Sequence, residues 1–177
     1  MKRWSVNFGG ALLCALLLAY AYYLQFVQHL EPCPLCIFQR VALFAVGSVM
    51  LLAAVHHPKS TGGARVYAVL IAIGALAGIG VAARHIYIQN LPAGSVPSCG
   101  ATLDDMFEVF PVTEVIRKVL TGSGECAIVN WSFLGLSMPW WVLFWLAGLG
   151  AAGFVANWNA TPAEPRLPRR RLEPTIR

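Results

Sequence analysis

Four apolar stretches, at residues 8–27, 35–55, 66–83 and 140–156, are each long enough to cross a hydrocarbon core, which takes about 17–25 helical residues. Nothing in the chain constrains its fold more. In lipid every backbone N–H and C=O must find a partner without help from water, and a helix provides those partners within one segment. Only 12% of the residues are charged, against about 25% in an ordinary soluble domain. The expected fold is an all-α integral membrane bundle of four transmembrane helices over residues 1–157. Short connections at 28–34 and around Gly62-Gly63 make successive helices antiparallel neighbours. Lys2, Arg3 and Ala19-Tyr20-Ala21 resemble parts of a cleavable signal peptide, but the apolar run continues to Val27, so the first stretch is taken as an uncut span.

Basic residues set the expected orientation. Lys2 and Arg3 in the amino tail, Lys59 and Arg65 in the connection after the second span, and five arginines after residue 160 make up nine of the thirteen Lys and Arg. By the positive-inside rule those segments, and both termini, face the cytoplasm. The net charge of +5 therefore describes topology and contact with the lipid bilayer, and gives no support to a nucleic-acid partner. Segments 28–34 and 89–138 face outward. The longer one is expected to lie along the bundle, with irregular chain at 91–100 and a short interfacial helix at 113–120, where Val115, Ile116, Val119 and Leu120 share a face. Gly122-Ser123-Gly124 turns the chain into Cys126, and Trp131, Trp140 and Trp141 suit an interfacial belt. The basic tail at 158–177 is expected to be disordered.

Four of the five cysteines fall on the outward side: Cys33 and Cys36 at the start of the second span, Cys99 and Cys126 in the long loop. Four cysteines allow three pairings. Close spacing favours Cys33 with Cys36, which leaves Cys99 with Cys126, and both pairs can be oxidised in an oxidising compartment. Two structural bridges would be the bland account. It suits Cys33/Cys36 poorly, because a bridge over two residues removes little loop entropy. That pair also sits at a helix amino end, which favours a thiolate, and Pro34 fits the first helical turn.

Arg40 follows Cys36 by four residues and shares its helical face. A guanidinium at membrane depth needs a partner; the alternative is snorkelling to the headgroups. His85, near the outer end of the third span, is either an interfacial histidine or a site residue. A metal bound by Cys33 and Cys36 with His29, His85 or the loop cysteines is the other chemical possibility, but no second closely spaced ligand pair is present and no metal is assigned. Cys14, in mid-span without an ionisable neighbour, is taken as a packing residue. His56 and His57 are expected in water.

These residues resemble the DsbB family of bacterial inner-membrane disulfide-forming oxidoreductases. The likeness covers nearly the whole chain: Pro32-Cys33-Pro34-Leu35-Cys36-Ile37 entering the second span, Arg40, His85 and Gln89 ahead of Cys99, Gly124-Glu125-Cys126-Ala127, and Trp131 to Trp141 entering the fourth span. The resemblance implies that Cys99/Cys126 accepts two electrons from a periplasmic DsbA-type thiol oxidase, with Cys99 forming the mixed disulfide. It implies that Cys33/Cys36 then receives the electrons and passes them to a membrane quinone, ubiquinone or menaquinone, with Arg40 and His85 as candidate cofactor-binding residues. A potential near about −120 mV for a DsbA-type partner calls for an oxidant stronger than the glutathione pool.

Cys14 and the two tails have no counterpart in that pattern. In the vitamin K epoxide reductase-like family the loop cysteines precede the membrane pair, the reverse of the order here. A DsbB paralogue dedicated to another periplasmic substrate, and a non-enzymatic membrane protein braced by disulfides, remain as further alternatives at the level of sequence.

Overall fold

All four apolar stretches form helices in the computed structural model, which describes residues 3–92, 111, 113 and 124–160. Helix α1 spans Arg3–Phe26, α2 Pro34–His56 and α3 Thr61–Gln89. A single-turn helix α4, Gly124–Ala127, carries Cys126, and strands β1 (Ser132–Phe133) and β2 (Leu136–Ser137) form a hairpin that leads into α5, Met138–Trp158. Helices α1, α2, α3 and α5 are long and apolar enough to cross a membrane. Cys99, residues 114–120 of the expected loop helix, and the tail after residue 160 lie outside the described residues.

Local chemistry sets the ends of these helices. Cys33 is the N-cap of α2, its Sγ accepting the Cys36 N–H at 3.4 Å, with Pro34 at the first helical position. Ser60 caps α3 by accepting the Gly63 N–H at 3.1 Å. The hairpin turns through Leu134 (φ 52°) and Gly135 (φ 78°), the two left-handed positions of a tight two-residue connection. Gly135 adopts that conformation freely; Leu134 does not.

Helices α1, α2 and α3 are antiparallel neighbours in chain order, as their short connections require, and α3 packs most extensively on α5. Lipid supplies no hydrophobic drive between helices, so small residues that admit close approach take over. A Cβ on Gly150 would stand 2.6 Å from the Ala75 Cβ, and one on Gly78 would stand 2.7 Å from the Ala42 Cβ. The core fills the middle of the bundle with Cys14, Leu43, Val46, Met50, Ile71 and Leu146. Cys14 is the packing residue expected, seated against Gly47. His56 is exposed and hydrogen-bonds to the Tyr67 hydroxyl at 2.8 Å.

One end of the bundle carries the start of α1 and the end of α5, and the other carries Cys33, Cys36 and Cys126. At the tail end, fully buried Asn7 and Asn157 exchange two hydrogen bonds, 3.1 and 2.8 Å long, between α1 and α5. Asn157 also donates to the Gly153 carbonyl at 2.8 Å. Among the described residues, no buried side-chain nitrogen or oxygen lacks a partner.

Candidate functional site

The N-terminus of α2 fixes the position of the dithiol. Cys33, at the cap, is buried and Cys36, one turn in, is half-buried. Their Sγ atoms are 2.8 Å apart, so a small side-chain rotation separates this arrangement from a disulfide, whose sulfurs lie about 2.0 Å apart. The backbone N–H on Cys33 Sγ and the amino end of α2 both favour negative charge there.

Helix α3 contributes His85. Its Nε2 lies 3.7 Å from Cys33 Sγ and its Nδ1 lies 3.0 Å from the side-chain amide of Gln39 on α2. Gln89, one turn further along α3, brings its amide to 3.5 Å from Nε2 and accepts a 2.6 Å hydrogen bond from the Ser137 hydroxyl. The imidazole is thus held on both sides, in an orientation that aims one nitrogen at the dithiol. Cys126 is fully buried and packs in one cluster with Cys33, Leu35 and Ile88. The single turn of α4 therefore brings a loop cysteine into the buried cluster that contains the N-cap of α2.

Arg40 is captured by α1 and does not reach for headgroups. It donates to Gln25 Oε1 at 2.5 Å and to the Ala21 carbonyl at 3.2 Å, and its guanidinium lies 5.2 Å from the centre of the Tyr22 ring. Three contacts from one helix fix the cation near Cys36 while leaving it on the wall of a cavity.

Two cavities meet at Cys36 and Arg40. The first, of ≈170 Å³, is walled by Leu17, Tyr20 and Ala21 of α1, by Cys36, Gln39, Arg40 and Leu43 of α2, by Trp131, and by Met138, Trp141, Val142 and Trp145 of α5. Aliphatic and aromatic surface dominates it, with the thiol, the amide and the guanidinium at one end. The second, of ≈70 Å³, is more polar and includes Glu31, Cys33, His85, Gln89 and Asn130. Cys33 faces only the second cavity, whereas Cys36 opens on both. The pair therefore stands between an apolar compartment at membrane depth and a polar one toward the loops.

Of the site residues read from the sequence, Cys33, Cys36, Cys126, Arg40 and His85 come together around the start of α2, and Cys99 lies outside the described residues. His85 faces Cys33 and the polar cavity and is absent from the wall of the apolar one. Sequence reasoning passed over Gln25 and Gln39. Their signal was present, since each is a polar side chain inside or at the edge of an apolar span, where such groups are costly unless partnered. Trp131 was assigned to an interfacial belt, but it also closes the apolar cavity, in edge contact with Tyr20 at 6.3 Å between ring centres.

Comparison with known proteins gives one answer. The family model described as "Disulfide bond formation protein DsbB" matches residues 2–156. "Disulfide bond formation protein B" of Nitrosococcus oceani is 55% identical over 148 residues, covering 84% of this chain and 86% of that protein. The protein of the same name from Methylococcus capsulatus is 50% identical over 151 residues, covering 85% and 92%. That from Hahella chejuensis is 47% identical over 162 residues, covering 89% and 94%.

Proposed function

This chain belongs to the DsbB family and is a multi-pass inner-membrane oxidoreductase that generates disulfides, and on that premise we propose a route for its electrons. They enter from a periplasmic DsbA-type thiol oxidase at Cys99/Cys126, pass to Cys33/Cys36, and leave to a quinone held in the apolar cavity. The observation that carries this reading is the placement of Cys36 on the wall between the two cavities, with Cys126 packed on the Cys33 side.

That placement supports one order of thiol exchange. A partner thiolate attacks Cys99 and expels Cys126 as a thiolate. Cys126, in the same buried cluster as Cys33, attacks Cys33 Sγ and expels Cys36. Negative charge then develops on the one sulfur that faces the apolar cavity, with the Arg40 guanidinium on the same wall. His85, at 3.7 Å from Cys33 Sγ, supports charge on the other sulfur. The partner's second thiolate then releases Cys99, which attacks Cys126 and frees Cys33; each exchange breaks one S–S bond and forms another, so the partner leaves oxidised, Cys33/Cys36 is left as a dithiol, and two electrons have moved inward without a free radical.

The apolar cavity suits a quinone ring. Flat aromatic walls from Tyr20, Trp131, Trp141 and Trp145 offer stacking surface, and Gln39 and Arg40 offer hydrogen-bond donors at the end nearest Cys36. A quinone bound there supplies an acceptor for two electrons and two protons. Arg40 is held in place on that wall through Gln25 and the Ala21 carbonyl. Orientation follows the distribution of basic residues: both termini in the cytoplasm, and the cysteine end of the bundle toward the periplasm.

A single-turnover experiment tests the exit step in isolation. The Cys99→Ser, Cys126→Ser variant is reduced, freed of reductant and mixed with a soluble ubiquinone analogue or a menaquinone analogue in detergent. Loss of two thiols per chain, matched by one hydroquinone, is the expected outcome. Retention of both thiols with either quinone class would refute the assignment of Cys33/Cys36 as the quinone-facing pair.

A further inference from the structure

The dithiol and its histidine form a group that the electron route does not fully use. Among the described residues, Cys33, Cys36 and His85 bring three ligand atoms within 4.8 Å of one another. We infer that the reduced enzyme has a second, non-redox activity at this place: capture of a thiophilic divalent cation, such as Zn²⁺, by Cys33 Sγ, Cys36 Sγ and His85 Nε2.

The geometry is close to what such an ion requires. Tetrahedral zinc with Zn–S near 2.3 Å and Zn–N near 2.0 Å sets sulfurs about 3.8 Å apart and a sulfur and nitrogen about 3.5 Å apart. Cys33 Sγ and His85 Nε2 are already separated by 3.7 Å, while the sulfurs at 2.8 Å must open by rotation of one side chain. The Cys36 N–H, 3.4 Å from Cys33 Sγ, helps to hold that sulfur in place at the cap of α2. Gln39 supplies the outer support that ligating histidines ordinarily have. With an ion on Nε2 the ring proton sits on Nδ1, and the Gln39 carboxamide, 3.0 Å away, can turn its oxygen to accept it. All three ligand residues line the polar cavity, from which a fourth ligand can come, and Glu31 lines it too. Arg40 opposes a nearby cation, but its guanidinium is drawn toward α1 by Gln25 and Ala21.

Capture forms two metal–sulfur bonds and one metal–nitrogen bond, releases the two thiol protons and moves no electrons. It also excludes the disulfide, because the same sulfurs cannot be joined to each other and ligate as thiolates. Binding therefore selects the reduced enzyme and holds it out of turnover. Inhibition by the ion should deepen when reduced partner is abundant and quinone scarce.

The test uses the full chain with Cys99→Ser and Cys126→Ser, so that only the α2 dithiol is available, under anaerobic conditions and free of reductant. Titration with Co²⁺ alone is followed by sulfur-to-cobalt charge-transfer absorption, and Zn²⁺ is then added in competition. The expected result is one ion per reduced chain, none on the oxidised chain, and two thiols protected from alkylation. Both His85→Ala and His85→Asn should weaken binding by at least about tenfold, and Gln39→Leu by about tenfold. Equal binding to oxidised protein, no binding to reduced protein, or unchanged affinity in both His85 variants would each overturn the inference. Quinone reduction by the metal-free parent variant is measured alongside. That activity can persist whatever the metal result, so failure of the metal site and failure of the electron route are told apart.

Discussion

At the tail end of the bundle, Asn7 and Asn157 are fully buried and bonded to each other, to a backbone carbonyl, and to nothing that can react. At the cysteine end, Gln39, His85, Gln89 and Arg40 are equally well partnered, but each lies beside a sulfur or on a cavity wall. Both ends meet the membrane's demand that buried polar groups be satisfied. Burial and satisfaction therefore do not mark a site by themselves. What separates the two ends is where the partnered groups stand: Gln39, Arg40, His85 and Gln89 line the two cavities that meet at Cys36, whereas neither asparagine lines the open apolar groove between α1 and α5 that Val6, Leu13, Leu149 and Val155 wall at the other end.

If this contrast is correct, changes at the cysteine end should alter chemistry with little effect on stability, and changes at the other end should do the reverse. The largest effect is expected from Cys36→Ser, which should abolish thiol-dependent quinone reduction while leaving the protein's thermal unfolding in detergent close to wild type. Arg40→Ala should lower the rate of quinone reduction by about a hundredfold, the scale of losing a charge-stabilising donor, with the partner mixed disulfide at Cys99 still trapped in the usual yield. Arg40→Lys should recover only part of that loss, because one ammonium cannot reproduce the fork that reaches Gln25 and Ala21 together.

Stability should respond elsewhere. Gly150→Leu forces a side chain against Ala75 and should cost about 1–3 kcal/mol, seen as a lower unfolding midpoint with turnover per folded molecule retained. The smallest effect is expected at the tail end. Asn157→Leu should cost about 1 kcal/mol, the scale of an interhelical hydrogen bond in a membrane bundle, and leave quinone kinetics unchanged. A loss of turnover in Asn157→Leu, or a loss of stability in Cys36→Ser as large as in Gly150→Leu, would break the division between the two ends.

Much of this was legible in the chain, for reasons that can be stated residue by residue. The four helices announce themselves because lipid requires long uninterrupted apolar runs, and Cys33, Cys36 and Arg40 share a helix, so spacing alone brings them near one another. A helix need not stop where its apolar stretch stops: α3 runs Thr61–Gln89 around the stretch at 66–83, because charge ends an apolar window without ending a helix. Arg65 lies over Trp158 and Arg84 over Tyr87, each 5.2 Å from the ring centre, inside or at the edge of regular helix.

Other features rest on contacts between elements distant in sequence. The hydrogen bond from Gln39 to His85 joins α2 to α3 across 46 residues and depends on the register of two helices, which no local pattern encodes. The placement of Cys126 in one cluster with Cys33 depends likewise on where the long loop returns. The hairpin was missed because Leu134, which takes the first left-handed position of its turn, is not a turn-forming residue; only Gly135 gave a hint.

The central claim is that Cys33/Cys36 links a thiol partner on one side to a membrane oxidant on the other. Its most direct test is steady-state quinone reduction by the purified full chain, started with a reduced DsbA-type thiol oxidase and compared with a Cys33→Ser, Cys36→Ser control. The account predicts one hydroquinone formed per partner disulfide, and no turnover in the control although the partner still forms a mixed disulfide at Cys99. Undiminished turnover in the control would contradict it.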